Sequence, residues 1–233
     1  MTFATGARHG LSYIAEETFG TTPSSPDMTT FRHTACSLGL MLAGLMQSDW
    51  SSDVLKAGAS QPSFTFERGF ADIGQYQVLT GCVMDSLRLS VRPDRLVSGK
   101  LSVLGKSSTL ASSSLDASPT AAASNDPMDS FSGSLTEGGA AMGIVAGLDL
   151  VIDNGLEQAF VIGDAEAEAL LAGSSRITGE IVTYFEDAGL LEKFVDRSES
   201  SLTITFSGAG GSLTFELPRI VYTGAENPAL GAG

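Results

Sequence analysis

The chain has 233 residues, 42% hydrophobic and 17% charged, with 27 glycines, enough to bury a core in one large β domain or two small ones. Thirteen basic residues against 27 acidic ones give a formal charge of −14. That balance argues against a surface that grips nucleic acid, which needs clustered Lys and Arg, and against docking on anionic lipid.

Glycine and Ser/Thr between short alternating segments predict an all-β architecture. Near the start, Leu11, Tyr13 and Ala15 alternate with Ser12, Ile14 and Glu16, an imperfect strand. The tract Thr21-Thr22-Pro23-Ser24-Ser25-Pro26 is extended, because proline drives its predecessor out of the α region. A strand on a stiff leash predicts an arm over residues 1–30 that pairs with a neighbour's sheet edge, the alternative being a frayed terminus. Residues 31–40 read as a strand, 41–46 as one or two helical turns, and Trp50 as a core or interface anchor.

Strands are expected at 63–67 and 75–79 around a glycine turn, and at 86–91 and 98–104 as a hairpin across Pro93-Asp94. Residues 106–135, dominated by Ser, Ala, Thr, Pro and Asp, read as a long loop. A second half opens at 140–148 and continues as a strand over 148–152. Asp164 has the chemistry of an N-cap for a helix at 165–172, with Gly173 ending it. Residues 177–184 alternate as a strand with one face on a core. Glu186-Asp187 suits the start of a helix burying Leu190, Leu191 and Phe194. Strands at 202–206 and 213–217 flank a glycine turn, and Pro218 is expected to stop the ladder.

The order helix, strand, glycine turn, strand occurs twice, at 42–79 and at 188–217, which suggests two packed sheets related by a pseudo-twofold. No Lys or Arg lies between Lys106 and Arg176, while Asp116, Asp126, Asp129, Glu137, Asp149, Asp153, Glu157, Asp164, Glu166 and Glu168 do. Such a block is a solvated face, or a surface that repels a polyanion.

Reactive chemistry is not legible. Cys36 and Cys82 lack metal-motif spacing and read as two free thiols, with one disulfide as the alternative. His9 and His33 do not complete a metal shell with them. No nucleophile elbow, zinc-protease, P-loop or dinucleotide motif occurs. Asp149, Asp153 and Asn154 lack the register of an EF-hand, and Glu180 with Glu186 is a glycosidase pair only if folding sets their separation. No enzyme activity, cofactor or metal is expected. The start lacks a signal-peptide pattern, and the apolar run 138–148 falls short of the ~20 residues a bilayer span needs, so synthesis in the cytosol is expected.

Several stretches in order resemble the tail tube (major tail) protein family of long-tailed, non-contractile phages. They are the run from Gly10-Leu11-Ser12-Tyr13 to Thr22-Pro23, Arg32-His33-Thr34-Ala35-Cys36-Ser37-Leu38, Phe64-Thr65-Phe66-Glu67-Arg68-Gly69 through Tyr76, and Thr80-Gly81-Cys82. Thr178-Gly179 through Tyr184-Phe185-Glu186-Asp187 and Leu217-Pro218-Arg219-Ile220 complete the series.

The resemblance implies a mainly β, sandwich- or barrel-like tube fold with one or two short flanking helices, a long inter-strand loop and an extended N-terminal arm. It divides the chain into that arm (1–30), a tube domain (31–222) of two pseudo-repeated halves, 31–105 and 140–222, joined by 106–139, and a flexible tail (223–233). Against the family's pattern the chain is short between Leu38 and Trp50 and lacks a closing strand after Tyr222, which bears on sheet closure. It implies a structural subunit of the virion, made in the bacterial host cytoplasm, that forms stacked hexameric rings around a tape-measure protein and is closed by a tail terminator. DNA would pass through without specific binding, and no membrane is involved. Ring stacking would then fall to the arm residues Leu11, Tyr13, Ile14, Glu16 and Glu17 and to the 106–135 loop. The acidic lumen would be supplied by Asp149, Asp153, Glu157, Asp164, Glu166 and Glu168. The alternative is a monomeric virion decoration or carbohydrate-binding β module, for which one Trp and four Tyr supply a poor aromatic platform.

Overall fold

The computed structural model describes residues 2–4, 11–18, 37–70, 72–93, 95–119, 128, 130, 133–143, 145–184, 189–208 and 211–225, the first two segments by backbone alone. The elements begin with β1 (Thr2–Ala4), β2 (Leu11–Thr18), α1 (Ser37–Met46), β3 (Phe64–Phe70), β4 (Gln75–Val91), β5 (Ser98–Gly105) and β6 (Ser107–Ala111). They continue with β7 (Gly133–Glu137), β8 (Ala140–Ala141), β9 (Val145–Asp153), β10 (Glu157–Phe160), β11 (Ala167–Leu171), β12 (Arg176–Thr183), α2 (Gly189–Asp196), β13 (Glu199–Gly208) and β14 (Gly211–Val221). The fold is mainly β, and the chain divides into two compact units. One comprises Met1–Ser90, Ser98–Asn125 and Asp149–Gly179, the other Val91–Val97, Asp126–Leu148 and Glu180–Gly233.

The first unit is built on β4. The two strands expected at 75–79 and 86–91 are one strand of 17 residues. Its first part pairs with β3 and β6, and its second, from Val83 on, with β5. The change of partner falls at Gly81, whose φ of +62° and close approach to Lys106, with Cγ 2.9 Å from where a Cβ would stand, both require glycine. Strand β5 shows why the alternation was readable. Gly99, Leu101, Val103 and Gly105 are buried while Ser98, Lys100, Ser102 and Leu104 are half-buried, the period of a sheet with one face on a core.

Strand β2 runs along β5 over its whole length, from Leu11 opposite Gly105 to Thr18 opposite Ser98. The sheet path is β1-β2-β5-β4-β9-β12.

Residues 37–40 are helical, which corrects the strand expected over 31–40; residues 31–36 lie outside the described segments. Leu, Met and Ala without alternation or β-branching favour a helix. Leu42, Ala43 and Leu45 are buried, and Gly44 lets the helix settle on the β3–β4 hairpin beside Phe64 and Met84. Asn154, 3% exposed, fastens that arrangement. Its Nδ2 donates to the carbonyls of Leu45 at 2.8 Å and Met84 at 3.3 Å, and its backbone N–H donates to the carbonyl of Asp85. One amide thereby satisfies a carbonyl left over at the helix C-terminus and another on β4.

Several expectations are corrected by pairing. Residues 107–111 form β6 and 133–137 form β7, so the loop is shorter than 106–135 at both ends. Within it, Glu67 accepts hydrogen bonds from Ser114 Oγ and the Leu115 N–H. The helix expected at 165–172 is instead β11, antiparallel to β10. Asp164 does accept a hydrogen bond, from the Glu166 N–H at 2.9 Å, but as a two-residue Asx turn rather than a cap. Burial of Ala167 and Leu170 then outweighs the helix preference of an alanine-rich segment too short to sustain one.

In the second unit the sheet order is β14-β13-β7-β8. Leu202, Ile204 and Phe206 are buried, opposite Leu217, Phe215 and Leu213 on β14 and opposite Glu137, Leu135 and Gly133 on β7. Pro218 does not end the ladder as expected. The register shifts between Ser200 and Leu202, so the proline sits at a bulge in an edge strand, where no donor is missed. The order helix, strand, turn, strand recurs as α1-β3-β4 and α2-β13-β14.

The helix expected after Glu186-Asp187 exists as α2, but it buries nothing completely. Leu190 and Phe194 are half-buried and Leu191 is exposed. Lys193 Nζ donates to Glu137 Oε2 at 2.6 Å, holding α2 to the sheet through a buried carboxylate. Burial, reinforced by the charge of Glu137, pushes the Tyr222 phenol up to about 12.

Candidate assembly surfaces

The described residues hold no group of three or more His, Cys, Asp or Glu arranged for a metal ion. Cys82 is a free, fully buried thiol pushed up to about 11 by burial; Cys36 lies outside the described residues, as does Glu186, while Glu180 is exposed on β12. A shallow depression of about 290 Å³ is lined by Gly138, Glu199, Ser200, Ser201, Pro218 and Arg219. Its ion pair, Arg219 to Glu199, is exposed and holds the Glu199 carboxyl below its ordinary range. Nothing there converges on a reacting atom.

Edges and exposed apolar side chains are the more informative features. Strand β12 ends the long sheet path. It was expected to lay one face on a core, yet residues 176–180 are all exposed and only Ile181 and Thr183 are half-buried. Ile177, Val182 and Tyr184 stand in solvent. An exposed edge strand with apolar side chains is a template for another chain. On α2, Leu191 and Val195 are exposed one turn apart, an apolar stripe left uncovered among the described residues. Trp50, half exposed, donates its indole N–H to the Gly39 carbonyl at 2.8 Å, so it is not core.

The residues picked out on the arm lie on β2: Leu11, Tyr13, Ile14, Glu16 and Glu17 face Gly105, Val103, Ser102, Lys100 and Gly99 of β5 in register. The acidic residues picked out for a lumen are gathered in one unit. Asp149 and Asp153 lie on β9, Glu157 on β10, Glu168 on β11, and Asp164 with Glu166 in the connection between β10 and β11. All but Asp149 are exposed.

A seventh carboxylate, Asp85, escaped the sequence reading. Burial, and then the charge of Asp153, raises its pKa, while a hydrogen bond from the Leu156 N–H at 3.0 Å acts the other way. A carboxyl raised in the folded state contributes stability that is complete below its ordinary range and lost as pH rises through the folded value. At neutral pH, therefore, Asp85 is a liability. Asp85→Asn keeps an acceptor for Leu156 without the charge. It is expected to raise the urea midpoint at pH 7, with the gain shrinking toward pH 3; a variant equally or less stable than wild type at pH 7 contradicts this account.

What sequence reasoning missed is the apolar exposure on β12, α2 and the β10–β11 turn. Only the last left a signal, Val161-Ile162 immediately before Gly163-Asp164, an apolar pair running into turn residues.

No curated protein matched the chain. A family profile described as phage tail tube protein matches residues 29–233. With nearly the whole mainly β chain covered, the protein belongs to the phage tail tube protein family.

Proposed function

We propose that the chain is the repeating subunit of a tail tube, assembling into hexameric rings that stack into the conduit through which DNA leaves the virion. The family match over residues 29–233 carries this reading. The exposed apolar edge at β12 and the stripe on α2 support it, because among the described residues nothing covers either. The tube is built in the host cytoplasm around a tape-measure protein and closed by a terminator, and the chain acts without catalysis or cofactor.

In this reading β2, with Leu11, Tyr13, Ile14, Glu16 and Glu17, takes part in ring stacking. The two pseudo-repeated halves, 31–105 and 140–222, form the ring wall. The carboxylates Asp149, Asp153, Glu157, Asp164, Glu166 and Glu168 face the passing DNA. Their repulsion acts over roughly a Debye length, about 8 Å at physiological salt, and keeps the phosphate backbone from adhering.

Negative-stain images of the purified chain at high concentration are expected to show stacked rings with six-fold end views. Protein that stays monomeric at all concentrations, and also beside its tape-measure protein, defeats the proposal.

A further inference from the structure

Asparagine occurs three times, at 125, 154 and 227, and only Asn154 is followed by glycine. That dipeptide has a chemistry of its own. In an unrestrained Asn-Gly segment the glycine nitrogen, having lost its proton to water or hydroxide, attacks the side-chain amide carbon, since no Cβ hinders its approach. A C–N bond closes a five-membered succinimide, and the amide nitrogen leaves as ammonia. Water then opens the ring at either carbonyl. The product is aspartate, or isoaspartate with the main chain routed through the former side chain. No oxidant, metal or enzyme is needed. The side chain of Asp126 hinders the same attack at Asn125, and Pro228 forbids it at Asn227 because proline has no N–H.

The fold holds each participant out of reach. Asn154 is 3% exposed. Its Nδ2, the group that must depart, donates to the carbonyls of Leu45 at 2.8 Å and Met84 at 3.3 Å, across the seam where α1 meets β4. The attacking nitrogen is occupied as well. The Gly155 N–H donates to Asp153 Oδ1 at 2.9 Å, and a carboxylate beside it disfavours the amide anion that attack requires. A Cβ on Gly173 would overlap the Gly155 carbonyl, so the main chain here has little room to rotate. Yet Gly155 sits at φ +58°, where a side chain is strained. The turn demands the very residue that makes its neighbour labile.

We propose that Asn154–Gly155 is a modification site gated by the fold, silent while α1 is docked and deamidating in chains that stay open. The gate operates whatever the chain assembles into. The product does not fit the place it came from. Aspartate replaces the donor of two hydrogen bonds by an acceptor, and isoaspartate adds a methylene to the main chain directly after β9. A chain that opens briefly recloses unchanged, whereas one that lingers open is altered irreversibly and opens more easily afterwards.

Residue 154 of the wild-type full chain is followed at pH 8 by peptide mass mapping, with isoaspartate identified by methyltransferase labelling. Native chain is expected to react at least about ten-fold more slowly than chain in concentrated urea, since reaction needs an opening whose population is small. A smaller ratio overturns the gate, and an unmodified Asn154 after prolonged unfolding overturns the site. A second measurement uses chain held just below its urea midpoint until modified and unmodified forms are both abundant. A brief thermolysin pulse across a urea series, read by mass for both forms in one sample, then compares their stabilities. Modified chains are expected to be cut at distinctly lower urea. Coincident midpoints would mean that the product fits as well as Asn154 does, and overturn the proposal.

Discussion

Asn154→Asp is expected to remove about 3–5 kcal/mol of stability at neutral pH and distinctly less at pH 4. The side-chain amide is buried and donates to two carbonyls, those of Leu45 and Met84. An ionised carboxylate has no proton for either. Two buried acceptors lose their donor, at about 1–3 kcal/mol each, and an uncompensated charge is added in the same space. Burial raises the pKa of the introduced carboxyl. Its contribution is therefore least harmful below the ordinary carboxylate range and worsens as pH rises through the folded value. Once protonated, it can again donate to one carbonyl. Asn154→Ala is expected to lose less at pH 7 and to show no such pH dependence. Urea unfolding of the three proteins at both pH values measures this. Against a total of about 5–15 kcal/mol for a domain, a loss under 1 kcal/mol at pH 7 would mean that Asn154 is not the fastening described.

The second large effect is expected at Gly44. A Cβ there would stand 2.6 and 2.9 Å from two ring carbons of Phe64 and 3.0 Å from Met84 Cγ. Alanine in a helix gains up to about 1 kcal/mol over glycine, which partly offsets the crowding. Valine is worse on both counts, and Gly44→Val is expected to cost about 2–4 kcal/mol. The specific check is a cycle with Phe64→Leu, which removes the ring that the Cβ meets. Gly44→Ala should be distinctly less damaging in that background, a coupling of about 1 kcal/mol or more. Additivity of the two substitutions would place the crowding elsewhere.

Both sites were only partly legible beforehand. Strands whose alternation reports one buried face, such as 98–104 and 202–206, were readable because period two is a local property of the chain. The hairpin over 63–79 was readable for the same reason, with glycines marking its turn. Residues 37–40 and 165–172 were misassigned in opposite directions. In each, the deciding influence lay outside the segment: the β3–β4 hairpin for α1, and for β11 the pairing with β10 and the packing of Leu170 with Val83. Asn154 read as a failed calcium ligand, because nothing within a few residues reveals that Leu45 is its partner 109 positions away. Strand 177–184 kept its alternation yet lies at an edge in water. Period two says that two faces differ, and not that either is covered by the same chain. For a protein that works as a polymer, that is where a single sequence falls silent. The carboxylates of 149–168 were legible as a block because charge density is a sum along the chain; the exposed apolar stretch between them, Phe160 to Ile162, is three residues long and drowned in that sum.

The position of Cys82 offers a clock. It follows Gly81, where β4 exchanges one set of neighbours for another, and no part of it touches solvent. Only an ionised thiol reacts with alkylating reagents, and this one neither ionises near neutrality nor can be reached. With Cys36 replaced by Ser, the rate of iodoacetamide uptake therefore reports how often β4 sheds its neighbours. Timed on dispersed subunits and again on finished tubes, the ratio of the two rates tells how far polymerisation slows the breathing of each wall segment.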